Sequence, residues 1–359
     1  MTEPGRAPSG AAGTSRASEP AGAALPSGAA VLALDIGGTQ IRAAVVLPSG
    51  ERLARRSVAT PLAGGPDAIY SACAELLNGV RADLPSAVRD RLVAIGISSM
   101  GPVDPWRGVV RDPPNVVALR EAPLADEVEA RVGLPAYLDR DTNVAALAEH
   151  WLGAARGCRD FLYVTVSTGL GGAIWRDDHL MLGPDGTAGE VGHGCLMLDA
   201  GPRCGCGATG HLEAISSGSG LANAARDEMW RGGSAFLAAR AAAGQLTGRD
   251  VAEGEAAGDA VCTELMDRAR RAFAIACVGW VNEFNPERIV VGGTLAERQG
   301  DRWLEPARLA VATTGFRRPS ARVQIVPAEL GNDVGLAGAW PLVEERHGNP
   351  IWRDRRAQP

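Results

Sequence analysis

Residues 31–51 read VLALDIGGTQIRAAVVLPSGE. The run from 31 to 36 is apolar and β-rich, Gly37-Gly38 marks a turn, and a second apolar run from 41 to 47 ends in Pro-Ser-Gly, so the stretch is a hairpin. Its turn carries chemistry. Gly37 and Gly38 let backbone N–H groups approach an anion closely, Thr39 adds a hydroxyl, and Asp35 at the strand end is placed to hold a magnesium ion through water. Taken alone, a D-x-G-G-T turn is also compatible with an ordinary tight turn. A second copy strengthens the phosphate-binding reading. Residues 161–175, FLYVTVSTGLGGAIW, repeat the order of apolar run, glycine turn (Thr168, Gly169, Gly171, Gly172) and apolar run. Two phosphate-gripping hairpins at this separation are what a pair of facing lobes requires, each closing one loop on a nucleotide.

A third stretch, residues 187–216, reads TAGEVGHGCLMLDAGPRCGCGATGHLEAIS and packs His193, Cys204, Cys206 and His211 into nineteen residues. Two thiols one residue apart, with an imidazole five residues on and another upstream in a glycine-punctuated loop, supply the four donors of a tetrahedral structural zinc site. An isolated C-x-C in a glycine-rich turn reads more simply as two ordinary thiols. Here Glu190 and Glu213 flank the four donors without being needed as ligands. Both are expected to accept hydrogen bonds from a polyhydroxylated substrate, with His193 beside them.

At this stretch the chain resembles the ROK family of sugar kinases, whose signature runs G-x-x-G-x-x-G-E-x-G-H and then C-x-C-G-x-x-G-C-x-E. Residues 183–193 match the first part and CGCGATGHLE, residues 204–213, the second. His211 stands where the common pattern has a third cysteine, which changes the ligand set to two histidines and two cysteines and still suits zinc. The first hairpin is similar to the family's first phosphate loop, with Gln40 in place of the usual lysine. The second hairpin resembles the second phosphate loop. RIVVGGTL, residues 288–295, resembles the adenosine-contacting segment, so Gly292 and Gly293 are expected against the nucleotide. SSMGPVDPWRGVVRDPPN, residues 98–115, resembles the substrate-facing loop, with Gly101, Asp104 and Asn115 at recognisable positions; Gly101 and Asn115 are candidates for sugar contact.

The chemistry is read from DRDTNVAALAEHWLG, residues 139–153. Asp141 sits where a strand ends, and Thr142 or Asn143 is expected to cap the following helix. A carboxylate at the mouth of a cleft is placed to take a proton from a hydroxyl as that oxygen attacks phosphorus, and the family's N-D-x-N pattern implies this role for Asp141. A plain helix cap is the simpler reading of the same residue. Arg140 departs from the family, which has a substrate-contacting asparagine there. Arginine only donates hydrogen bonds and stays charged, so it can pair with Asp141, reach an acceptor oxygen on the substrate, or point to solvent.

Composition bounds the rest. A chain of 359 residues, 46% hydrophobic, is long enough to bury two domain cores. The net charge of -6, with arginine as the sole basic residue type beside histidine, argues against nucleic acid or an anionic membrane as partner. Seven cysteines, an odd number with two assigned to a metal, fit a reducing cytoplasm better than a disulfide framework. There is no long apolar run to span a membrane or serve as a signal peptide. Helices are expected over 67–80, 124–132, 261–284 and 332–343, and strands over 92–97, 134–139 and 323–326.

The fold expected is α/β, with two actin-like (ribonuclease H-like) lobes, a cleft between them and a zinc-bound loop. Residues 1–28 are an Ala/Gly/Ser/Pro-rich tail expected to be disordered. Residues 29–142 form the first lobe, joined by the C-terminal helix 332–345; residues 143–331 form the second, with the zinc loop at 187–216; and 346–359 are a tail. The resemblance implies ATP, Mg²⁺ and structural Zn²⁺ as cofactors and a homodimer. It implies phosphorylation of the primary hydroxyl of a hexose or a hexose-like C7-cyclitol. Two other readings stay open: a ROK-type sugar-responsive transcriptional regulator, disfavoured because residues 1–28 are too short and polar for a winged helix-turn-helix, and a polyphosphate-dependent glucokinase.

Overall fold

Strand β1 (Ala30–Ile36) is buried along its whole length and feeds two cores. Leu32, Leu34 and Ile36 pack on one face with helix α1 (Gly65–Ala82), while Val31 and Ala33 face the centre of the molecule. A strand covered on both sides reads as the continuous apolar run seen in the sequence. The computed structural model describes residues 24–113, 116–197 and 199–353.

Around β1 lie β2 (Gln40–Val46), β3 (Arg52–Ala59), β4 (Leu92–Ser99) and β5 (Ala136–Arg140), in the order β3-β2-β1-β4-β5. The β1–β2 and β2–β3 pairs are antiparallel; β1–β4 and β4–β5 are parallel. The second sheet repeats this arrangement strand for strand. Strands β6 (Phe161–Val166), β7 (Leu170–Arg176), β8 (His179–Leu180), β9 (Arg288–Gly292) and β10 (Gln324–Pro327) run in the order β8-β7-β6-β9-β10 with the same sequence of antiparallel and parallel pairs. The duplication read from two glycine hairpins therefore extends to whole five-stranded sheets.

Between the sheets is a shared core. Helix α2 (Leu124–Val132) packs outside the first sheet, whereas α3 (Asp141–Trp151) contributes Val144, Ala145 and Leu147 to a cluster holding Val31 and Ala44 of one sheet and Tyr163 and Trp175 of the other. Outside the second sheet lie α4 (Gly218–Trp230), the 25-residue α5 (Ala260–Phe284) and α6 (Asp301–Thr314).

The closing helix is broken, contrary to the single helix expected over 332–343. A short turn, Val334–Ala337, is followed by α7 (Ala339–Arg346). Gly338 lies at the break, and a side chain there would come within 2.0 Å of the Val144 carbonyl, so the chain is pressed against α3 at that point. The boundaries of the ordered core also differ from the composition reading. Within the expected N-terminal tail, Leu25 packs against the central core and Ala29 N–H donates to Pro26 O at 2.9 Å; residues 1–23 lie outside the described residues. Within the expected C-terminal tail, Arg346 and Trp352 are buried, because an arginine that finds a buried acid and an aromatic ring is no longer a solvated residue. Residues 354–359 lie outside the described residues. Among the described residues no helix is long and apolar enough to cross a membrane.

Candidate active site and metal centre

Strand β5 delivers Asp141 as the first residue of α3, with Arg140 in extended conformation at the cap position. The capping expected of Thr142 or Asn143 does not occur. Both are buried inside the first turn; Asn143 Nδ2 donates to Asp139 Oδ1 at 2.8 Å, and the Thr142 N–H donates to Asp141 Oδ1 at 2.8 Å. The Asp141 carboxylate opens to water in the cleft, yet it sits deep among protein atoms. Desolvation pushes it up to about 6, opposed by the Thr142 N–H and by the charge of Arg140, and reinforced by Asp35 and Glu190. A carboxylate in that range is ionised at neutral pH and basic enough to accept a proton.

Arg140 neither pairs with Asp141 nor points to solvent. Its side chain is 4% exposed, its guanidinium is ion-paired with Glu190 Oε1, and Nη2 donates to Ala188 O at 2.7 Å and Gly172 O at 3.0 Å. Its stem fills the space beside Gly101, where a Cβ would lie 2.8 Å from Arg140 Cδ. Gly101 thus makes room for Arg140. Asn115, the other sugar-contact candidate in that loop, lies outside the described residues. Asp104 is occupied by Arg111 and by the Arg107 N–H at 3.0 Å.

Asp35 lines the cleft end of β1 and is held by Arg42, which stands directly opposite it in the hairpin; Arg42 Nε to Asp35 Oδ2 is 3.0 Å. A Cβ on Gly335 would come within 2.6 Å of Asp35 Oδ1, so the glycine leaves that oxygen uncovered. One carboxylate oxygen neutralised by arginine and one left open fits a water-mediated magnesium contact. Thr39 is exposed at the turn, and Thr60 Oγ1 donates to Gly37 O at 2.8 Å, fixing the loop's base.

In the second hairpin the exposed turn is Ser167 to Gly169, with Thr168 outermost. Gly171 and Gly172, expected to grip phosphate, are instead inside β7. Side chains there would strike Thr142 Cγ2 at 3.1 Å and Val191 Cγ2 at 2.7 Å, so these glycines serve the packing of α3 and the 188–191 loop. Gly292 is likewise buried under Tyr163 Oη, leaving Gly293, with φ of 92°, as the glycine at the cleft surface; a Cβ there would come within 2.5 Å of Val166 O.

The four zinc donors expected from the sequence lie together. His193, Cys204, Cys206 and His211 bring their donor atoms within 4.8 Å of one another. The two Nδ1 atoms are 3.2 Å apart, Cys204 Sγ is 3.7 Å from His193 Nδ1, and Cys206 Sγ is 3.4 Å from His211 Nδ1. Ordinary Zn–N and Zn–S bonds give tetrahedral edges of roughly 3.3–3.8 Å, so the donor set fits zinc. With Nδ1 turned to the metal, His193 Nε2 faces Glu190 Oε2 at 3.8 Å. Glu213 is engaged by the protein at one oxygen. Its Oε2 accepts the Leu170 N–H at 2.9 Å, while its Oε1 lies 3.4 Å from Cys204 Sγ, a sulfur that as a zinc thiolate has no proton to donate.

Sequence reasoning missed Asp139, Arg346 and Glu149. Glu149 on α3 is fully buried and accepts the N–H groups of Ala154 (2.7 Å), Glu329 (3.1 Å) and Leu330 (3.0 Å), tying the central helix to the segment where the chain returns to the first lobe. An acid in the middle of an Ala-rich helix reads as a solvated face until its distant partners are known.

Duplicated five-stranded lobes around a cleft, with a raised carboxylate at its floor and a glycine hairpin in each wall, define an actin-like ATPase fold. The chain belongs to the ROK family, whose model matches residues 31–346. It is 33% identical to a glucokinase of Streptomyces coelicolor, over 88% of this chain and 97% of that one. It is 32% identical to an N-acetylmannosamine kinase of Escherichia fergusonii, over 87% and 98%. The solved ROK family glucokinase of Streptomyces griseus, in complex with glucose and AMPPNP, superposes with a TM-score of 0.71 at 32% identity, covering 86% of this chain and 97% of that one.

Proposed function

We propose that this protein is an ATP-dependent phosphotransferase acting on the primary hydroxyl of a hexose or a hexose-like cyclitol, with Asp141 as general base. The observation that carries the reading is Asp141 itself, a carboxylate raised to about 6 at the floor of the cleft. The acceptor hydroxyl gives its proton to Asp141 as its oxygen bonds to the terminal phosphorus, and the bond from that phosphorus to the ADP oxygen breaks. The turns at Gly38-Thr39 and Thr168-Gly169 hold the phosphates through backbone N–H groups, and Gly293 borders the adenosine. Asp35 would hold Mg²⁺, which when bound neutralises charge on the phosphates. Zinc, held by His193, Cys204, Cys206 and His211, would stiffen the loop that presents Glu190 and His193 to the acceptor. Closure of the lobes excludes water that would otherwise hydrolyse ATP.

The acceptor's identity rests on Arg140. With its Nη groups spent on Glu190 and on carbonyls, it offers no hydrogen-bond acceptor to sugar hydroxyls and engages one oxygen of Glu190. That supports an acceptor whose hydroxyl pattern differs from glucose, such as a C7-cyclitol bearing a hydroxymethyl group. A cytoplasmic location is supported by seven cysteines, none of them in a disulfide. A homodimer is supported by exposed Ile275, Leu309 and Phe316 on the outer face of the second lobe. The test is a coupled ADP-release assay against glucose, other hexoses, N-acetylmannosamine and hydroxymethyl cyclitols, with polyphosphate as an alternative donor scored by phosphorylated product. Turnover of none of these acceptors with either donor by folded, zinc-replete protein overturns the reading.

A further inference from the structure

Two residues before Asp141, the side chain of Asp139 is completely buried, and so is that of Arg346 on α7, with which it forms an ion pair. Arg346 Nη1 also donates to Leu138 O at 2.9 Å, so the guanidinium grips β5 at two successive residues. The other oxygen of Asp139 accepts two hydrogen bonds, from the Arg140 N–H at 2.7 Å and from Asn143 Nδ2 at 2.8 Å. These donors lie on either side of Asp141 in the chain. The carboxylate of Asp139 therefore staples the end of the strand to the first turn of the helix, with Asp141 at the bend between them. On its far side Arg346 stacks over Trp352, 4.0 Å from the ring centroid, and Trp352 stacks on Trp106 near the acceptor-side loop.

As a device for stability alone this is a poor choice. Removing two charges from water costs several kcal/mol per ion, and apolar side chains of similar volume commonly replace such a pair at no loss. Arg346 also buries its Nε without a partner, adding to the cost. What the pair provides that apolar packing cannot is direction, because a carboxylate locked by a guanidinium presents its remaining oxygen at one fixed point.

We propose that Arg346 is a positioning residue for phosphoryl transfer: through Asp139 it sets the strand-to-helix bend and so the aim of Asp141 at the acceptor hydroxyl. This rests on the reading of Asp141 as the base. The C-terminal helix then has a part in the chemistry, because the segment that closes the first lobe also orients a residue on the cleft floor.

The experiment uses the full chain and the acceptor of highest kcat/KM in the panel above. Arg346→Met should lower kcat about tenfold or more, with the KM values of ATP and acceptor changed by no more than about threefold, as misaimed chemistry rather than lost binding requires. Arg346→Lys, which keeps the charge, should recover at least part of the loss. Should Arg346→Met fail to fold, the double variant Asp139→Asn/Arg346→Met leaves no buried charge unpaired; it should have a Tm near wild type and the same reduced kcat. A kcat within about twofold of wild type in either folded variant overturns the proposal, as does a kcat loss that Arg346→Lys does not relieve. Asp141→Asn is measured alongside. Normal turnover there overturns the base reading, whereas a dead Asp141→Asn beside normal Met variants overturns only the role of Arg346.

Discussion

Glu213 Oε2 accepts the backbone N–H of Leu170 at 2.9 Å, which fastens the loop carrying the four zinc donors to the second glycine hairpin. Glu213 follows the metal-donor residue His211 by two positions, so one carboxylate ties the metal loop to the strand that follows the exposed turn at Thr168. On the proposed reading the metal loop therefore bears on both halves of the reaction: the acceptor side through His193 and Glu190, the donor side through Glu213.

Loss of zinc should therefore harm both substrates unequally. Purified protein should contain about one zinc per chain, and Cys206→Ser should release it. The acceptor KM should rise on the order of tenfold and the ATP KM by a smaller factor, in line with the cost of disturbing groups that orient a site from outside. Metal analysis finding no zinc in protein prepared without chelator removes the metal from this account.

Asp141→Asn should lower kcat by about a hundredfold or more while leaving ATP affinity near wild type, as the loss of a base for the acceptor hydroxyl requires. Isothermal titration with AMPPNP and steady-state kinetics on the same preparation separate the two. Normal turnover in folded protein excludes Asp141 as base.

The pH profile should have an acid limb near the raised value of Asp141. The carboxyl is pushed up to about 6, so kcat/KM should fall with a slope of one as pH drops below that point. Stability carries the opposite sign. An acid whose folded value lies above its unfolded one binds more protons when folded, so its ionisation weakens the fold as pH rises from about 4 to about 6. Asp141→Asn should accordingly match or exceed the wild-type Tm at pH 8 and lose that advantage toward pH 4. A wild-type kcat/KM that is flat from pH 5 to pH 8 contradicts the assignment.

Much of this was legible because it is local. Both hairpins, the strand leading to Asp141 and the four metal donors are each written within a short stretch, and alternation or ligand spacing suffices to read them. Contacts across long separations were not. Arg346 and Asp139 are 207 residues apart, and no local pattern marks an arginine near the chain's end as the partner of a strand residue. The glycines were over-read for a different reason. Gly169, Gly171 and Gly172 look alike in a sequence, but alternation along β7 turns two of them toward α3 and the 188–191 loop, where the missing side chain is a matter of packing. The tie from Glu213 to the second hairpin is illegible because its partner is a backbone N–H, which every residue offers and no sequence advertises.

Arg140 gives the sharpest test of specificity. Its guanidinium occupies one oxygen of Glu190 and caps the carbonyls of Gly172 and Ala188 in a space that Gly101 leaves open. Arg140→Asn should free Glu190 to receive two hydroxyls and should itself both donate and accept. It also leaves two carbonyls without their donor and a cavity beside Gly101, so Tm should fall, by an amount equivalent to roughly 2–4 kcal/mol. In the wild type, glucose should be the poorer acceptor by about tenfold or more in kcat/KM against the best cyclitol or modified hexose, and the substitution should narrow that gap despite the lost stability. Because destabilisation lowers the active fraction for every acceptor alike, the ratio between acceptors is the quantity to measure. If glucose is the best acceptor and Arg140→Asn leaves the ratio unchanged, Arg140 only braces the 188–190 loop, and the enzyme is a glucokinase that tolerates arginine there.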